Sequence, residues 1–488
     1  MILSLLQKQV SELNAFDKVA VVSDEGSVTY GELMQRIDHF ADALIENGVG
    51  KGHVLLAYLD NVPAFLVAQL ASTKVGCTFA PIDIGSTDDE FKNKLELTGS
   101  DLVVCDTNQN DHCLKFTKNI ANLDVVGQLA GISLEHCPNR VIEGDVAVMQ
   151  FSSGSTAASK GILLDSEAFY YRSYLLNQAL GLSYDDRTIC ALPLSHTHGS
   201  ECLALPTLMG CGTLYLKSPK FAYPMYILEE LEKYEITFFS SIPQFYDFAV
   251  KLQGKPFNLS KLRHPFCGSA ALAVSTAQSF YDKYGVHIKQ GYGLAELSVI
   301  CINQHDSDQV VYDSVGKVIP GIDWKILGGG SEGELLVKSK AMFSGYINDE
   351  KNTNEKLRNG WLHTGDIVSI DDTGLLRIVG RKEDFIKVNG FKVYASEVEK
   401  ALVGHDFVKE CAVISEKDDV GSEKIVAHIV LGEWCETNDD VTQQLVNYLR
   451  GKISDYKIPK RIVFEKELPK NALGKILKSK IKDPARLN

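Results

Sequence analysis

Residues 146–164 read VAVMQFSSGSTAASKGILL, and in this stretch a hydroxyl-rich loop separates two apolar runs. The apolar runs predict two strands, and a loop of this kind between strands presents backbone N–H and side-chain O–H groups to phosphate oxygens. Lys160 adds a positive charge at the end of the loop. The candidate phosphate-binding residues are Ser152, Ser153, Gly154, Ser155, Thr156 and Lys160. A serine-rich surface turn explains this stretch equally well when it is taken alone.

Short apolar runs alternate with amphipathic helical patterns along much of the chain. The clearest apolar runs cover residues 18–23, 53–58 and 77–82, and helical patterns cover residues 30–47 and 62–75 between them. Such alternation predicts largely parallel sheets with helices on both faces. From 314 to 381, glycine and aspartate turns separate short strands, which predicts a smaller antiparallel sheet.

Charged residues at 380–384 interrupt two apolar runs and predict a hinge between domains. We therefore expect an α/β protein. Its large N-terminal domain, residues 1–380, is expected to contain parallel-rich sheets with helices and a small antiparallel β subdomain. Residues 381–488 are expected to form a small α+β C-terminal domain, which begins with a strand at 385–393 and reads strand, helix, strand, strand and helix.

The charge of the chain is unevenly distributed. The 488 residues contain 50 Lys+Arg and 63 Asp+Glu, a net charge of −13. Residues 451–488 contain 11 Lys+Arg and 4 Asp+Glu and so carry +7, which leaves −20 for residues 1–450. The acidic total disfavours a nucleic-acid-binding protein, which usually has a basic footprint. The basic end predicts contact with an anion or, in the simpler interpretation, a solvated lysine-rich face.

Cysteine usage and hydropathy bear on the location of the protein. The 11 cysteines are scattered and form no Cys-x-x-Cys pair, so neither a disulfide framework nor a zinc site is expected. Reduced thiols are typical of a cytoplasmic protein. The first 16 residues have one apolar helix face and no basic n-region, so we expect no signal peptide. Since no run of 18 apolar residues occurs, we expect no membrane span.

Two further motifs suit nucleotide chemistry. The sequence QGYGLAE at 290–296 surrounds Tyr292 with glycines, which allow a ligand to approach the backbone while the ring stacks on a nucleobase. Glu296 at its end can hold a magnesium ion beside phosphates. The sequence WLHTGD at 361–366 places Asp366 after a glycine turn, where it can accept two ribose hydroxyls. Taken singly, a glycine-rich strand end and a turn aspartate are the simpler explanations.

A fourth motif, LPKNALGK at 468–475, places Lys475 beside a glycine in the basic end, where it can neutralise a developing charge. In this order and spacing the four motifs resemble those of the adenylate-forming superfamily, which includes acyl-CoA synthetases, peptide-synthetase adenylation domains and beetle luciferases. The resemblance covers nearly the whole chain. It also includes VTYGEL at 28–33, LPLSHTHG at 192–199, CGSAAL at 267–272, GRKED at 380–384, KVNGFKV at 387–393 and YKIP at 456–459.

The resemblance implies how the nucleotide is bound. Residues 152–160 would wrap the β- and γ-phosphates of ATP, and Glu296 would bind Mg²⁺. Asp366 and Arg381 would hold the ribose. The adenine pocket would be formed by Gly268, Ser269, Ala270, Gly291, Tyr292 and Gly293, with Tyr292 as the stacking ring.

The resemblance also implies the acid site and the moving parts. Lys475 would bridge the carboxylate and the α-phosphate, with His196 beside the carboxylate. Rotation of a mobile C-terminal lid about Glu383 would exchange Lys475 for the strand near Gly390, which would line the thiol tunnel. Further candidates for the acid pocket are His198, Phe239, Ser240, Cys267, Gly268 and Leu294.

Four positions in three motifs depart from the superfamily pattern. Residues 157–160 read AASK where the pattern has Gly-x-Pro-Lys, which changes the backbone freedom of the loop. Ala295 replaces a threonine that helps to hold the α-phosphate, and loss of such a hydrogen bond costs about 1–3 kcal/mol. Glu383 replaces the usual Asp or Lys of the hinge. Because Glu296 and the other matching charged residues are retained, we expect activity.

The implied activity is ATP-dependent activation of a carboxylic acid to an acyl-adenylate with release of pyrophosphate. The acyl group then passes to a thiol, as in an acyl- or aryl-CoA synthetase. A stand-alone ligase that loads an acyl carrier protein is an alternative, because the basic end suits an acidic carrier as well as coenzyme A. A non-catalytic nucleotide-binding relative is a third interpretation, based on Ala157 and Ala295.

The implied cofactors are ATP and Mg²⁺, with coenzyme A or a carrier-protein phosphopantetheine as the thiol acceptor. The implied partner is a small carboxylic acid, with an acyl carrier protein as a further candidate. No aspartate occupies the place where peptide-synthetase domains hold an α-ammonium, so an amino acid is disfavoured. We expect an aryl or medium-chain acid, and no carrier domain fused after Lys475.

Overall fold

The computed structural model describes residues 1–100, 102–136, 138, 141–151, 160–305, 310–388, 391–417, 423–432, 435, 439–470 and 476–481. Several residues singled out above therefore lie outside the described residues. They are Ser152, Ser153, Gly154, Ser155, Thr156, Ala157, Gly390 and Lys475.

Eight strands form a first sheet in the described part of the chain. Its five central strands, from Val148–Phe151 to Asn119–Leu123, are parallel. In spatial order the strands are Gly345–Tyr346, Gly161–Leu164, Val148–Phe151, Thr78–Ile82, Val54–Tyr58, Leu102–Asp106, Asn119–Leu123 and Leu129–Ser133.

A second sheet contains nine strands when only the described residues are counted. Six of them, from Val19–Ser23 to Lys289–Leu294 in the sheet, pair in parallel. In spatial order the strands are Lys317–Val318, Ser298–Ile302, Lys289–Leu294, His264–Cys267, Phe238–Ser241, Arg187–Cys190, Thr213–Leu216, Val19–Ser23 and Gly26–Thr29.

The strand Val54–Tyr58 illustrates why apolar runs of this kind form parallel sheets. Leu55 belongs to the same core cluster as Phe65 of the helix Pro63–Val75, whereas Leu56 belongs to the cluster of Phe91 on the opposite face. Both faces are thus covered by helices, so successive side chains are all apolar. The helix Pro63–Val75 contacts strands of both large sheets and is buried nearly all round.

The predicted antiparallel sheet is present. It contains Asp323–Ile326, Glu332–Lys338, Trp361–Ile370, Leu357–Arg358 and Leu376–Arg381, all paired antiparallel. Together the three sheets and their helices confirm the expected α/β class.

The residues beyond 384 have a core of their own. The two-stranded sheet contains Phe385–Val388 and Phe391–Tyr394, and the three-stranded sheet contains Val408–Lys417, Glu423–Leu431 and Arg461–Phe464. Val398 and Leu445, from the helices Ala395–Val403 and Asp439–Arg450, pack together in this core. The boundary after residue 380 and the mobility of this part remain predictions.

Two details of this part differ from the sequence prediction. The expected single strand at 385–393 is a pair of strands in which Val388 pairs with Phe391. The sequence Asn-Gly between them is a strong hairpin signal that the prediction passed over. The strand Arg461–Phe464, which pairs in parallel with Glu423–Leu431, was not predicted because four residues are too short for a clear period.

The helices connect and cover these sheets. The α-helices are Ile2–Glu12, Tyr30–Glu46, Pro63–Val75, Asp88–Thr98, Asn110–Cys113, Ser166–Leu180, Thr197–Gly199, Leu205–Met209, Pro224–Lys233, Pro243–Lys251, Val274–Tyr284, Glu350–Lys356, Ala395–Val403 and Asp439–Arg450. A π-helical turn covers Ser200–Ala204, and 3₁₀ turns cover Pro219–Phe221, Asp455–Lys457 and Lys478–Lys480. None of the helices in the described ranges is long and apolar enough to span a membrane.

Candidate active site

Several predicted site residues, and one carboxylate that was not predicted, lie where parallel strands of the two large sheets end. Asp83 follows the strand Thr78–Ile82, Ser240 lies near the end of Phe238–Ser241, and Gly268 follows His264–Cys267. In the sequence, the predicted phosphate loop follows the strand Val148–Phe151. Ligands of open α/β sheets bind outside the carboxyl ends of the strands, so this edge is the place expected for a site.

His196 forms a contact with a carboxylate that the sequence analysis did not identify. Its Nε2 lies 3.5 Å from Oδ2 of Asp83, and both side chains are partly exposed. The hydrogen bond from His196 lowers the pKa of Asp83, and a second hydrogen bond, from the Gly85 backbone N–H at 2.7 Å, acts in the same direction. The pair places an imidazole beside a carboxylate at the carboxyl ends of the strands.

His198 is held between two serines. Its Nε2 lies 2.6 Å from Ser240 Oγ, and its Nδ1 lies 3.0 Å from Ser269 Oγ. Burial, and secondarily the proximity of His196, lowers the pKa of His198 to about 4, so the ring is neutral at pH 7. A neutral imidazole has one N–H donor and one acceptor, so it donates to one serine and accepts from the other.

This arrangement fixes the wall that Gly268 and Ser269 form. Ser269 has a left-handed backbone with φ of 68°, which is uncommon for a residue with a side chain. A Cβ at Gly268 would lie 3.3 Å from Cε1 of His198. The predicted pocket residues His198, Ser240, Gly268 and Ser269 are therefore in direct contact, and Cys267 is fully buried beside them.

The two glycines around Tyr292 are required by close packing. A Cβ at Gly291 would lie 2.0 Å from Cζ of Phe266, and one at Gly293 would lie 2.0 Å from the carbonyl oxygen of Ser298. Only glycine fits at either position, which holds Tyr292 on a strand pressed against its neighbours. Leu294 and Ala295 follow on the same segment and pack partly buried against the main core.

Tyr292 reaches the predicted ribose residues. Its Oη donates to Asp366 Oδ2 at 2.5 Å, and Asp366 Oδ1 lies 2.7 Å from Arg381 Nε. Asp366 and Arg381 are partners in directly paired strands, so the register of the antiparallel sheet brings them together. Burial and the Asp366 carboxylate raise the pKa of Tyr292 well above its ordinary value, so the hydroxyl stays protonated and donates.

Glu296 and Lys160 meet through a tyrosine. Tyr346 Oη donates to Glu296 Oε1, while Lys160 Nζ lies 4.9 Å from the centre of the Tyr346 ring and 3.8 Å from Asp349 Oδ2. Tyr346 is placed there because its strand pairs with Gly161–Leu164, directly after Lys160. Lys160, at the end of the predicted phosphate loop, and Glu296, the predicted metal ligand, therefore both contact Tyr346.

The donor set at Glu296 fits a magnesium ion that is bound mainly through phosphates. Mg²⁺ is usually held by one or two carboxylates together with substrate oxygens, and Glu296 supplies one carboxylate. Within the described ranges there is no cluster of three or more His, Cys, Asp or Glu side chains suited to a metal on its own. Glu296 would hold the ion, which when bound offsets phosphate charge.

The predicted hinge adjoins a buried carboxylate. Lys382 Nζ lies 2.8 Å from Glu334 Oε2, and the Lys382 backbone N–H donates to the carbonyl oxygen of Gly365 at 2.7 Å. Glu334 Oε1 accepts from the Gly365 N–H at 3.2 Å. These bonds tie the residue before Glu383 to the turn that carries Asp366.

Sequence reasoning missed several residues of this region. Glu201 and Arg172 are single charges in apolar helical runs, which is a signal for a buried ion pair. Asp83 directly follows an apolar strand, where carboxylates at a site are common. Thr197 lies within the matched motif at 192–199 but was not singled out, and nothing local marks Gln150 or Tyr346.

Comparison with known proteins finds two family models that match successive parts of the chain. The model for the AMP-binding enzyme matches residues 6–347, and the model for the AMP-binding enzyme C-terminal domain matches residues 397–475. The chain is 28% identical over 474 residues to a feruloyl-CoA synthase of an Amycolatopsis species, which covers 93% of this chain and 94% of that protein.

Two further proteins are similar over most of their length. 4-Coumarate–CoA ligase 3 of Oryza sativa subsp. japonica is 27% identical over 93% of this chain and 87% of that protein. The crystal structure of ATP-bound MatB from Rhodopseudomonas palustris is 27% identical, covers 97% of both chains and superposes with a TM-score of 0.85.

Proposed function

The chain belongs to the AMP-binding enzyme family and is an ATP-dependent, AMP-forming acid–thiol ligase, and from this premise we propose that it activates an aromatic carboxylic acid and passes it to coenzyme A. In the first step the carboxylate attacks the α-phosphate of ATP and expels pyrophosphate. In the second step the thiol of coenzyme A attacks the acyl-adenylate and releases AMP.

The contact chain Tyr292–Asp366–Arg381 is the observation that carries this proposal. A flat ring, a buried carboxylate and a half-exposed guanidinium follow one another within hydrogen-bonding distance, which suits a base on the ring of Tyr292 and a ribose held by Asp366 and Arg381. The side chain of Asp366 is 4% exposed, so water screens its charge little. Hydrogen bonds from hydroxyl donors to this carboxylate are stronger for that reason.

The proposed roles of the remaining charges follow from electrostatics. Two anions must meet in the first step, so positive charge is needed between the carboxylate and the phosphates. Lys160 lies beside Tyr346, and Lys475 is the proposed lysine of the first step. Lys475 would be withdrawn for the second step by rotation about Glu383, since the thiol needs the same space.

The residues of the proposed acid pocket favour a phenolic acid as the substrate. His198 and Ser240, next to the predicted adenine-pocket residue Ser269, offer a neutral hydrogen-bonding wall, which suits a hydroxyl and would not neutralise a second carboxylate. The ring of Phe266 lies on the strand next to Ser240 and close to Gly268 and Gly291, where an aromatic acid has an apolar partner, whereas Phe239 packs in a separate core cluster. Two of the relatives are named for feruloyl and 4-coumarate groups, both phenolic acids.

The acceptor is proposed to be coenzyme A because the curated relatives are CoA ligases. The net charge of +7 over residues 451–488 suits the phosphates of coenzyme A, and it also suits an acidic carrier protein. A test must therefore offer both thiols. A cytoplasmic location is consistent with the scattered cysteines and stays a proposal.

The experiment is ATP–pyrophosphate exchange over three groups of acids: phenolic cinnamic acids, unsubstituted aryl acids and medium-chain fatty acids. We expect exchange to be fastest with the phenolic group, followed by thioester formation with coenzyme A. Exclusive thioester formation on a holo carrier protein would establish the carrier alternative, and fastest exchange with fatty acids would overturn the aromatic assignment. Absence of AMP release with both thiols would favour a non-catalytic relative.

Lys475→Ala and Lys480→Ala provide a matched pair of variants within that experiment. Lys480 is an exposed lysine of the same basic end. We expect Lys475→Ala to abolish exchange and Lys480→Ala to leave it unchanged. Equal exchange by the two variants would contradict the role proposed for Lys475.

A further inference from the structure

A fully buried ion pair lies behind the candidate site. Arg172 Nη1 is 3.1 Å from Glu201 Oε2, and both side chains are 0% exposed. Arg172 also donates through Nε to the carbonyl oxygen of Ala341 at 3.0 Å. Burying two charges is costly, and a pair of this kind is weak evidence for a role in stability alone.

Hydrogen bonds connect Glu201 to two uncharged side chains, first Gln150 and through it Thr197. Gln150 Nε2 donates to Glu201 Oε1 at 2.5 Å, and Gln150 Oε1 accepts a hydrogen bond from the Thr197 hydroxyl. The amide of Gln150 thus uses its donor on one side and its acceptor on the other. Burial raises the pKa of Glu201 and the ion pair with Arg172 opposes that rise; in its ionised form Glu201 can only accept, and the amide then has one orientation that satisfies both partners.

The ends of this network are the two segments on which the reaction depends. Gln150 lies in the strand Val148–Phe151, two residues before the start of the predicted phosphate loop at Ser152. Thr197 lies between His196, which contacts Asp83, and His198, which is hydrogen-bonded to two serines. A direct side-chain connection therefore joins the base of the phosphate loop to the histidine segment.

The backbone around Glu201 has an unusual form that agrees with this connection. Ser200–Ala204 is a π-helical turn, and such turns are rare and often occur at functional sites. The Ser173 hydroxyl donates to the carbonyl oxygen of Glu201 at 3.2 Å, which fixes the turn against the helix Ser166–Leu180. The wider turn brings the carboxylate inward to Gln150 and Arg172.

We propose that Gln150, Thr197 and Glu201 are positioning residues for the adenylation step. They set the distance between the phosphates of ATP and the carboxylate of the acid without touching either substrate. In-line attack requires close alignment, and displacement by about 1 Å can cost about 100-fold in rate. This inference rests on the proposed function for its kinetic consequence.

The kinetic test compares Thr197→Val with Thr197→Ser, together with Gln150→Leu. Valine keeps the shape of threonine and removes the hydroxyl, whereas serine keeps the hydroxyl. We expect Thr197→Val and Gln150→Leu to lower kcat of exchange by about 10–100-fold, with the KM values for ATP and acid within about threefold of wild type. We expect Thr197→Ser to restore most of kcat.

Glu230→Gln is the control for a loss of stability without a loss of alignment. Glu230 forms another buried ion pair, with Lys217 at 2.9 Å, and has no place in the network. We expect this variant to lower Tm while kcat stays at the wild-type value. If Thr197→Val retains wild-type kcat, or if Glu230→Gln loses kcat to the same extent at equal Tm, the inference is overturned.

Hydrogen exchange tests the connection independently of any reaction. We expect Gln150→Leu to raise amide exchange in residues 196–204, and Thr197→Val to raise it in residues 148–151, while Glu230→Gln changes neither segment. Exchange that rises only around the substituted residue would overturn the inference. This measurement keeps its meaning if the wild type activates no acid at all, in which case only the proposed function fails.

Discussion

Asp366 and Arg381 form an ion pair across two directly paired strands, with Oδ1 of the buried aspartate 2.7 Å from Nε of the half-exposed arginine. Tyr292 donates to the other carboxylate oxygen. Both oxygens of Asp366 are thus engaged by protein groups, so in the proposed site the ribose hydroxyls would replace or share these bonds. The ion pair fixes the orientation of the carboxylate toward the proposed ribose position.

Asp366→Asn is expected to raise the KM for ATP at least about tenfold. The amide can accept at one atom only, and the charge that strengthens hydrogen bonds to hydroxyls is lost. ATP-dependent exchange at varied ATP measures the effect, with Asp372→Asn on the exposed turn of the same sheet as the control. An unchanged KM in Asp366→Asn would remove Asp366 from the nucleotide site.

Gly291→Ala is expected to lower Tm and to weaken ATP binding. The added Cβ would lie 2.0 Å from the Phe266 ring, and overpacking of this kind costs about 1–3 kcal/mol. Gly131→Ala is the control, since no atom lies within 4 Å of its added Cβ. Thermal unfolding separates the two, and Phe266→Leu combined with Gly291→Ala should recover part of the loss.

Glu296→Gln is expected to raise the Mg²⁺ concentration for half-maximal exchange at least about tenfold. The amide is a weak ligand for Mg²⁺ beside a carboxylate, and the negative charge is removed. A magnesium titration at fixed ATP measures the shift, and Glu355→Gln serves as the exposed control. If the two variants titrate alike, Glu296 is not a magnesium ligand.

Ala295→Thr is expected to increase the rate of adenylation. A hydroxyl at this position can donate to the α-phosphate, and a hydrogen bond worth about 1 kcal/mol corresponds to about a fivefold gain in kcat/KM. Ala295→Val has the same shape without the hydroxyl and should not show the gain. A rise in both variants would mean that bulk rather than hydrogen bonding matters.

His198 should make the folded protein less stable in mild acid. Burial lowers the pKa of His198 to about 4 in the folded state, whereas a histidine in an unfolded chain titrates at about 6.5. As the pH falls from 7, the unfolded chain takes up this proton first, so stability is lost between about pH 6.5 and pH 4. The substitution His198→Gln removes this contribution to the loss of stability and keeps hydrogen-bonding groups toward the serines.

We therefore expect Tm to fall more steeply with acidification in the wild type than in His198→Gln. Thermal unfolding at pH 7, 6, 5 and 4.5 measures the difference. His39→Gln, at an exposed surface position, should follow the wild type. Parallel curves for wild type and His198→Gln would contradict the low pKa of His198.

The secondary structure was predictable where the pattern is local and strong. The apolar runs at 18–23, 53–58 and 77–82 correspond to the strands Val19–Ser23, Val54–Tyr58 and Thr78–Ile82. Burial on both faces makes such runs continuous, which is visible without a structure. The strand Arg461–Phe464 was not predicted because its position depends on pairing with the strand Glu423–Leu431, which ends 30 residues earlier in the chain.

The nucleotide residues remain a prediction, and the sequence could propose them because their motifs are contiguous and their chemistry follows from residue type. A glycine beside an aromatic ring, or an aspartate after a glycine turn, is a local arrangement. From the sequence, Gly291 and Gly293 were interpreted as glycines that allow a ligand to approach the backbone. The structure gives another reason, close packing against Phe266 and Ser298.

What the sequence alone determined is the family, the α/β class and the short motifs, since each depends on neighbouring residues. The tertiary structure alone decided which distant side chains meet: Asp83 with His196, Tyr346 with Glu296, and Gln150 with both Thr197 and Glu201. These contacts join residues about 50 or more positions apart. They depend on how two sheets and a helix pack, and no local period or propensity encodes that geometry.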